Sequence, residues 1–217
     1  MAVRDRFLDL RERVEVENPV IVDGGANKGD MTERFLHLYK NPIIHAFEPI
    51  PELALELRKR FASSKNVVVH ENALGAEGKG IRFNVLKNIV SSSVLKPTDI
   101  KRSYHGSKVD VERSIEVRQV RLDEAIKAPV DIMKLDLQGY ELEALKGAEG
   151  LLNDIKAITT EVEFTPLYEG QPLFSDIDKY LREKGFRLLN LYELFTHPDG
   201  QLTAGDAVYL NKRFFNL

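Results

Sequence analysis

VIVDGGANKG, residues 20–29, runs from apolar side chains through an acid into a glycine-containing turn. Val20, Ile21 and Val22 form a β-branched run of the kind buried in a parallel sheet, and Gly24, Gly25 and Gly29 let the backbone turn tightly into a helix. Strand, turn and helix in that order predict a ligand at the helix N-terminus.

The turn reads as G-x-A-x-x-G, one exchange from the dinucleotide fingerprint. Two features argue against a diphosphate. Ala26 puts a methyl group where a pyrophosphate would approach the backbone, and Asp23 places a carboxylate just before the loop, where it repels phosphate and attracts an ammonium group. S-adenosylmethionine carries an ammonium and a sulfonium and no phosphate, so it is the expected cofactor. The plainer alternative is that Asp23 caps the helix and the glycines only make a turn.

Downstream, strand and helix alternate. Met31, Phe35 and Leu38 mark a helix; IIHAFE at 43–48 is a second strand, ending in Glu48 and closed by Pro49; Leu53, Leu57 and Phe61 mark another helix. VVVHENALG at 67–75 reads as a third strand with its terminal loop. Short connections imply right-handed crossovers and a parallel sheet. IRFNVL at 81–86 and IEVRQVRL at 115–122 alternate like half-exposed strands, and 88–113 between them is polar and irregular, an insertion or lid. Pro129 opens the strand VDIMKLD, followed by a helix with Leu142, Leu145 and Leu152 on one side. AITTEVEF at 157–164 is the fifth core strand. Ser175 can cap the next helix, and 186–192 with 207–214 read as an antiparallel pair closing the sheet edge.

Ligands bind beyond the carboxyl ends of parallel strands, and the acids gather there: Asp23, Glu48, Asp136, Glu161 and Glu163. Glu48 follows Asp23 by 25 residues and is the expected ribose ligand. Asn72 and Ala73 offer an amide and a backbone donor to an adenine edge. Asp136, Gln138, Gly139 and Glu141 begin a helix. Asp136 is suited to contact the methionine end of a cofactor, to act as a base towards a hydroxyl, or to hold a divalent cation. Glu141 reads equally well as a favourable charge in the first helical turn. Lys134 is expected to pair with one of the acids. Asp136 with Glu161 or Glu163 would make an oxygen-rich site for magnesium or manganese. His45 and His70 lie inside strands and are read as structural, and SSS at 91–93 as flexible. Lys101 is one of seven basic side chains between 96 and 121, read as a solvated loop or as a lid that steers an acceptor.

The chain has 217 residues, suiting one α/β domain over 1–217, with 43% hydrophobic residues to fill a core. A net charge of −3 argues against a general nucleic-acid binder. Zero cysteines exclude disulfides and thiolate chemistry. The start, with Asp5, Asp9 and Glu12 among apolar residues, reads as a helix over about 3–16 and not as a secretory signal. With no apolar run of membrane-spanning length, a cytoplasmic protein is expected.

Taken together, DGGANKG at 23–29, FEP at 47–49, NALG at 72–75, SSS at 91–93, VRQVRLDEAI, KLDLQGYELEALKGAE and EVEFTPLYEGQPLF resemble the FkbM family of S-adenosylmethionine-dependent methyltransferases, over about residues 18–212. The resemblance implies a Rossmann-like α/β fold whose seven-stranded sheet is mostly parallel with an antiparallel edge strand and helices on both faces. It implies O-methylation, with acceptors drawn from sugars, glycans or secondary metabolites. Carried onto this sequence, Asp23, Gly24, Gly25, Ala26, Asn27 and Gly29 would take the methionine part, Glu48 and Pro49 the ribose, and Asn72 and Ala73 the adenine. Asp136 and Gln138 would lie near the transferred methyl, with Asp136 and Glu161 as the catalytic acids. A non-catalytic cofactor-binding module and a nicotinamide-linked oxidoreductase are the alternatives.

Overall fold

The computed structural model describes residues 5–215. In chain order the elements are α1 (Arg6–Arg13), β1 (Val20–Gly24), α2 (Asp30–Leu38), β2 (Ile43–Phe47), α3 (Pro51–Arg60), β3 (Val67–His70), β4 (Ala73–Leu74), β5 (Gly80–Leu86), α4 (Asp99–His105), β6 (Val111–Val120), α5 (Leu122–Ala125), β7 (Ile132–Leu135), α6 (Glu141–Lys146), β8 (Ala157–Glu163), α7 (Phe174–Glu183), β9 (Phe186–Thr196) and β10 (Leu202–Asn211). Single 3₁₀ turns lie at Ile89–Ser91 and Gly106–Val109.

The main sheet has seven strands in the order β3-β2-β1-β7-β8-β10-β9. Its first five positions are parallel, while β10 runs antiparallel to both β8 and β9. The antiparallel pair expected at the edge is present, with β10 one place in from the border strand. Because side chains alternate along a strand, Ile21, Ile132 and Val208 face Phe7 and Leu10 of α1 and Phe35 of α2. Val22, Met133 and Tyr209 face the other way, towards Leu145, Ile177 and Leu181 of α6 and α7. Both faces are therefore apolar, which is why the central strands read as unbroken hydrophobic runs. Phe35 is fully buried, and Phe35→Ala would cost about 3–5 kcal/mol.

Four expectations need correction. Of the helix expected over 3–16, residues 3 and 4 lie outside the described residues, and α1 spans only Arg6–Arg13. Asp5 caps it, its Oδ1 accepting from the Phe7 and Leu8 N–H groups at 2.9 and 3.2 Å, and β-branched Val14 and Val16 lead out towards Pro19. Ser175 lies inside α7 and not at its cap; instead the Asp176 carboxylate accepts from the Leu173 N–H at 2.9 Å. Residues 72–75 do more than end the third strand: Ala73 and Leu74 leave the main sheet and pair in parallel with Gln119 and Val120, making a three-stranded sheet β4-β6-β5. Finally, the polar stretch 88–113 is not irregular. It contains α4, capped by Thr98, whose Oγ1 accepts from the Lys101 N–H at 3.2 Å, and β6 begins at Val111.

Among the described residues no helix is long and apolar enough to cross a membrane.

Candidate active site

The turn after β1 is held by backbone on both sides. Gly25 and Ala26 donate their N–H groups to the Phe47 carbonyl at 3.0 Å, tying β1 to the end of β2. Gly25 has φ +72°, and a Cβ there would run into the Asp136 carbonyl oxygen, so the close approach of two strand ends requires glycine. Gly29, φ +91°, has Phe61 and Leu57 where a Cβ would lie, at 2.6 and 2.7 Å; its requirement is a left-handed backbone together with helix packing.

A cavity of about 240 Å³ opens at these strand ends. Of the candidate residues, Gly25, Ala26, Asn27, Glu48, Pro49, Asn72, Ala73, Asp136 and Gln138 line it. Asp23, Gly24, Gly29 and Glu161 are not among its lining residues. The placement of Asp23 corrects the electrostatic argument made from the sequence. Its carboxylate is fully buried behind the loop, 3.0 Å from the Lys134 ammonium and accepting from the Thr32 hydroxyl at 2.7 Å. Lys134 also donates to the carbonyls of Gly24 and Gly25, at 3.1 and 3.0 Å. Asp23 thus acts on the cavity through Lys134 and the loop it braces.

Glu48 does reach the cavity. Oε1 accepts from the Ile50 N–H and Oε2 from the Asn27 N–H, both at 2.9 Å, leaving each oxygen a further lone pair. Burial pushes its pKa up to about 7, against the lowering effect of those two N–H groups and of Lys134. Asn72 is half-buried at the rim and Ala73 is buried beside it.

At the ends of β7 and β8 the acids are joined through one amide. Gln138, in the left-handed region at φ +55°, donates from Nε2 to Asp136 Oδ1 and to Glu161 Oε2, each at 2.8 Å. Its Oε1 accepts from the Tyr168 hydroxyl at 2.8 Å and from the Lys101 ammonium at 3.4 Å. The amide orientation follows, since carboxylates only accept and an ammonium only donates. Burial raises the Glu161 and Glu163 carboxyls well above the ordinary range, reinforced by neighbouring carboxylates and opposed by Lys101. Glu141 is raised to about 7, chiefly by burial; its Oε1 holds the Leu137 and Gly139 N–H groups at 2.6 and 3.3 Å. It braces the turn from within, which differs from a solvated charge on a helix.

His45 and His70 meet at 3.0 Å between ring nitrogens, and His70 stacks on Phe47 with centroids 4.3 Å apart. Burial, then His45, pushes His70 down to about 4, so the pair is neutral at pH 7. Among the described residues no group of three or more His, Cys, Asp or Glu could hold a metal ion.

A profile of the methyltransferase FkbM domain matches residues 23–188. The chain belongs to the FkbM family and is a methyltransferase. Among its relatives, the 2-O-methyltransferase NoeI of Sinorhizobium fredii is 30% identical over 177 residues, covering 76% of this chain and 72% of that protein. The solved FkbM methyltransferase of Methylobacillus flagellatus superposes with a TM-score of 0.59 at 17% identity over 89% of this chain; this chain spans only 44% of that one. A Streptococcus thermophilus rRNA methylase shares the fold, with a TM-score of 0.56 at 12% identity over 97% of this chain and 98% of that one. So does a magnesium protoporphyrin IX methyltransferase from Synechocystis solved with bound S-adenosylmethionine, with a TM-score of 0.54 at 9% identity over 94% and 74% of the two chains. With an RNA methylase on the same fold, the net charge of −3 does not support excluding nucleic acid.

Several residues that shape this FkbM site escaped the sequence reading. SSS at 91–93 is not flexible: Ser92 Oγ accepts from the Leu86 N–H at 3.0 Å and lines the cavity, and Ser93 donates to the Gln138 carbonyl at 2.8 Å. The one Tyr168 hydroxyl hydrogen is shared between the Ser91 carbonyl, at 2.7 Å, and Gln138 Oε1. Lys101 is 4% exposed, with its ammonium 3.6 Å over the Tyr168 ring. The only sequence signal for Lys101 was its place in a modest basic excess, which a solvated loop shares.

Proposed function

We propose that this protein transfers the methyl group of S-adenosylmethionine to a hydroxyl oxygen of a sugar, glycan or secondary-metabolite acceptor. The observation that carries the reading is Glu48: a buried carboxylate fixed by two backbone N–H groups at the end of β2, with lone pairs left for a ribose diol. The donor set suits this cofactor. Asn72 and Ala73 stand at the rim for an adenine edge, apolar Ile50 and Phe83 offer it walls, and Gly25–Asn27 with Asp136 surround the remaining end, where carbonyl and carboxylate oxygens suit positive charge. The bound cofactor supplies an electrophilic methyl on a sulfonium centre. Further support comes from a fold neighbour solved with that cofactor and from a 30% identical relative named as an O-methyltransferase.

Asp136, which lines the cavity beside Gln138, would take the proton of the acceptor hydroxyl, whose oxygen would receive the methyl group that a bound cofactor supplies. Gln138, itself anchored by Glu161, holds that carboxylate in place. Rate comes mainly from fixed distance and angle. The nicotinamide reading loses ground to the family match.

The test has two parts. S-adenosylhomocysteine should raise the melting temperature by mass action, and NADH should leave it unchanged. Incubation with methyl-labelled S-adenosylmethionine and a panel of glycans, polyhydroxylated metabolites and RNA should label a hydroxyl oxygen in one of the first two classes. Stabilisation by NADH alone, or label in RNA alone, would overturn the reading.

A further inference from the structure

Lys101 is a lysine the reaction above does not use, yet the fold buries it. It comes from α4, in the segment that joins β5 to β6, and that segment is fastened across the ends of β7 and β8. Thr98 Oγ1 donates to the Pro166 carbonyl at 3.0 Å, Ser93 donates to the Gln138 carbonyl, and Pro97 pairs with Tyr168. Three residues beyond Lys101, Tyr104 stacks on His197 with centroids 3.7 Å apart, tying the other end of α4 to the β9–β10 hairpin. The lysine is then held over the Tyr168 ring, against the same Gln138 amide that grips Asp136 and Glu161. A buried ammonium costs several kcal/mol unless opposite charge or strong acceptors surround it. Here those partners are the acids at the strand ends.

We propose that Lys101 is a positioning residue for methyl transfer: through the Gln138 amide it sets the orientation of the Asp136 and Glu161 carboxylates and balances the charge of Glu161, so the base is competent only with α4 in place. The inference rests on the methyltransferase reading for its purpose but not for its test. The groups facing Glu161 are Asp136 from the end of β7, Glu141 from α6, Glu163 from its own strand, Tyr168 from the loop after β8, Asp206 opposite it on β10, Arg6 from α1 and Lys101 from α4. Four of them are acids, and Arg6 is already engaged by Asp206 and by Glu193 at 3.3 Å. Lys134, the remaining cation near Asp136, is bound to Asp23. Among the described residues, Lys101 is therefore the cation left to balance Glu161 and Glu163. Burial lowers its own pKa to about 8, so its charge is within reach of neutral pH.

The experiment follows the side-chain carboxyl carbons of ¹³C-labelled full-length protein by NMR from pH 5 to 9, with S-adenosylhomocysteine present. Glu161 is assigned through Glu161→Gln. In Lys101→Met the Glu161 midpoint should rise by about one unit, as loss of a nearby unit charge in a protein interior does. Lys101→Arg should restore it. Lys101→Gln, which keeps a polar end, should rise like the Met variant and serves if Met fails to fold. An unmoved midpoint in both neutral variants, whatever their melting temperatures, would overturn the proposal and reduce Lys101 to a packing element. Calorimetry of S-adenosylhomocysteine binding to the wild type separates the outcomes: absent binding counts against the cofactor reading, and leaves the midpoint comparison to judge Lys101.

Discussion

The Asp23 carboxylate and the Lys134 ammonium face each other at 3.0 Å across neighbouring strands, one fully buried and the other nearly so. Burial alone would lower the Lys134 pKa, but the charges of Asp23 and Asp136 more than offset it and hold the lysine above its ordinary value. The pair closes the floor under the turn, since Lys134 also holds the Gly24 and Gly25 carbonyls.

Asp23→Asn should therefore leave an unmatched buried cation and destabilise the fold by about 3–5 kcal/mol, read as a drop in the urea midpoint. Asp23→Leu combined with Lys134→Met should recover most of that loss. With its folded pKa raised, Lys134 contributes stability in full below the ordinary lysine value, and that stability is lost as pH rises through the folded value.

Glu48 predicts a slope in the opposite sense to ordinary carboxylates. Its folded pKa, about 7, lies above its unfolded value, so the folded protein holds the extra proton and stability falls as pH rises from about 4.5 through 7. Glu141 adds to the same slope. The unliganded protein should melt several degrees higher at pH 5 than at pH 8, and Glu48→Gln should flatten that dependence while weakening S-adenosylhomocysteine at least tenfold in calorimetry.

Gly25→Ala should be among the most damaging single exchanges, because the added methyl meets the Asp136 carbonyl at a left-handed backbone position. The strand ends would be forced apart, and S-adenosylhomocysteine binding should be lost at concentrations that saturate the wild type. Gly29→Ala, which meets the movable side chains of Leu57 and Phe61, should cost stability first and affinity second.

Asp136→Asn should lower kcat at least a hundredfold on the true acceptor, with cofactor affinity changed less than fivefold, because the amide still bonds Gln138 but takes no proton.

Much of this was legible in the sequence. Val20–Val22 read as an unbroken apolar run because both faces of the strand are buried, and strand-end logic then places Glu48, Asp136 and the glycine turn in the fold without any contact being known. Which way a strand-end acid points depends on its pairing partner. Asp23 was read as facing a ligand because nothing local reveals that Lys134, more than a hundred residues later, lies in register beside it. The segment from 88 to 113 hid its structure for a related reason. Its helix is amphipathic around a lysine and a tyrosine instead of leucines, so apolar periodicity passes over it. Ser92 and Ser93 likewise look like loop residues until Leu86 and Gln138 are seen to use their hydroxyls.

The central claim is tested most directly by a crystal structure of the protein with S-adenosylhomocysteine. The account predicts both ribose hydroxyls bonded to the Glu48 carboxylate, the adenine beside Asn72 and Ala73, and the sulfur towards Asp136. A structure at saturating ligand in which Glu48 still bonds only the Asn27 and Ile50 backbone, with the ligand elsewhere, would contradict it.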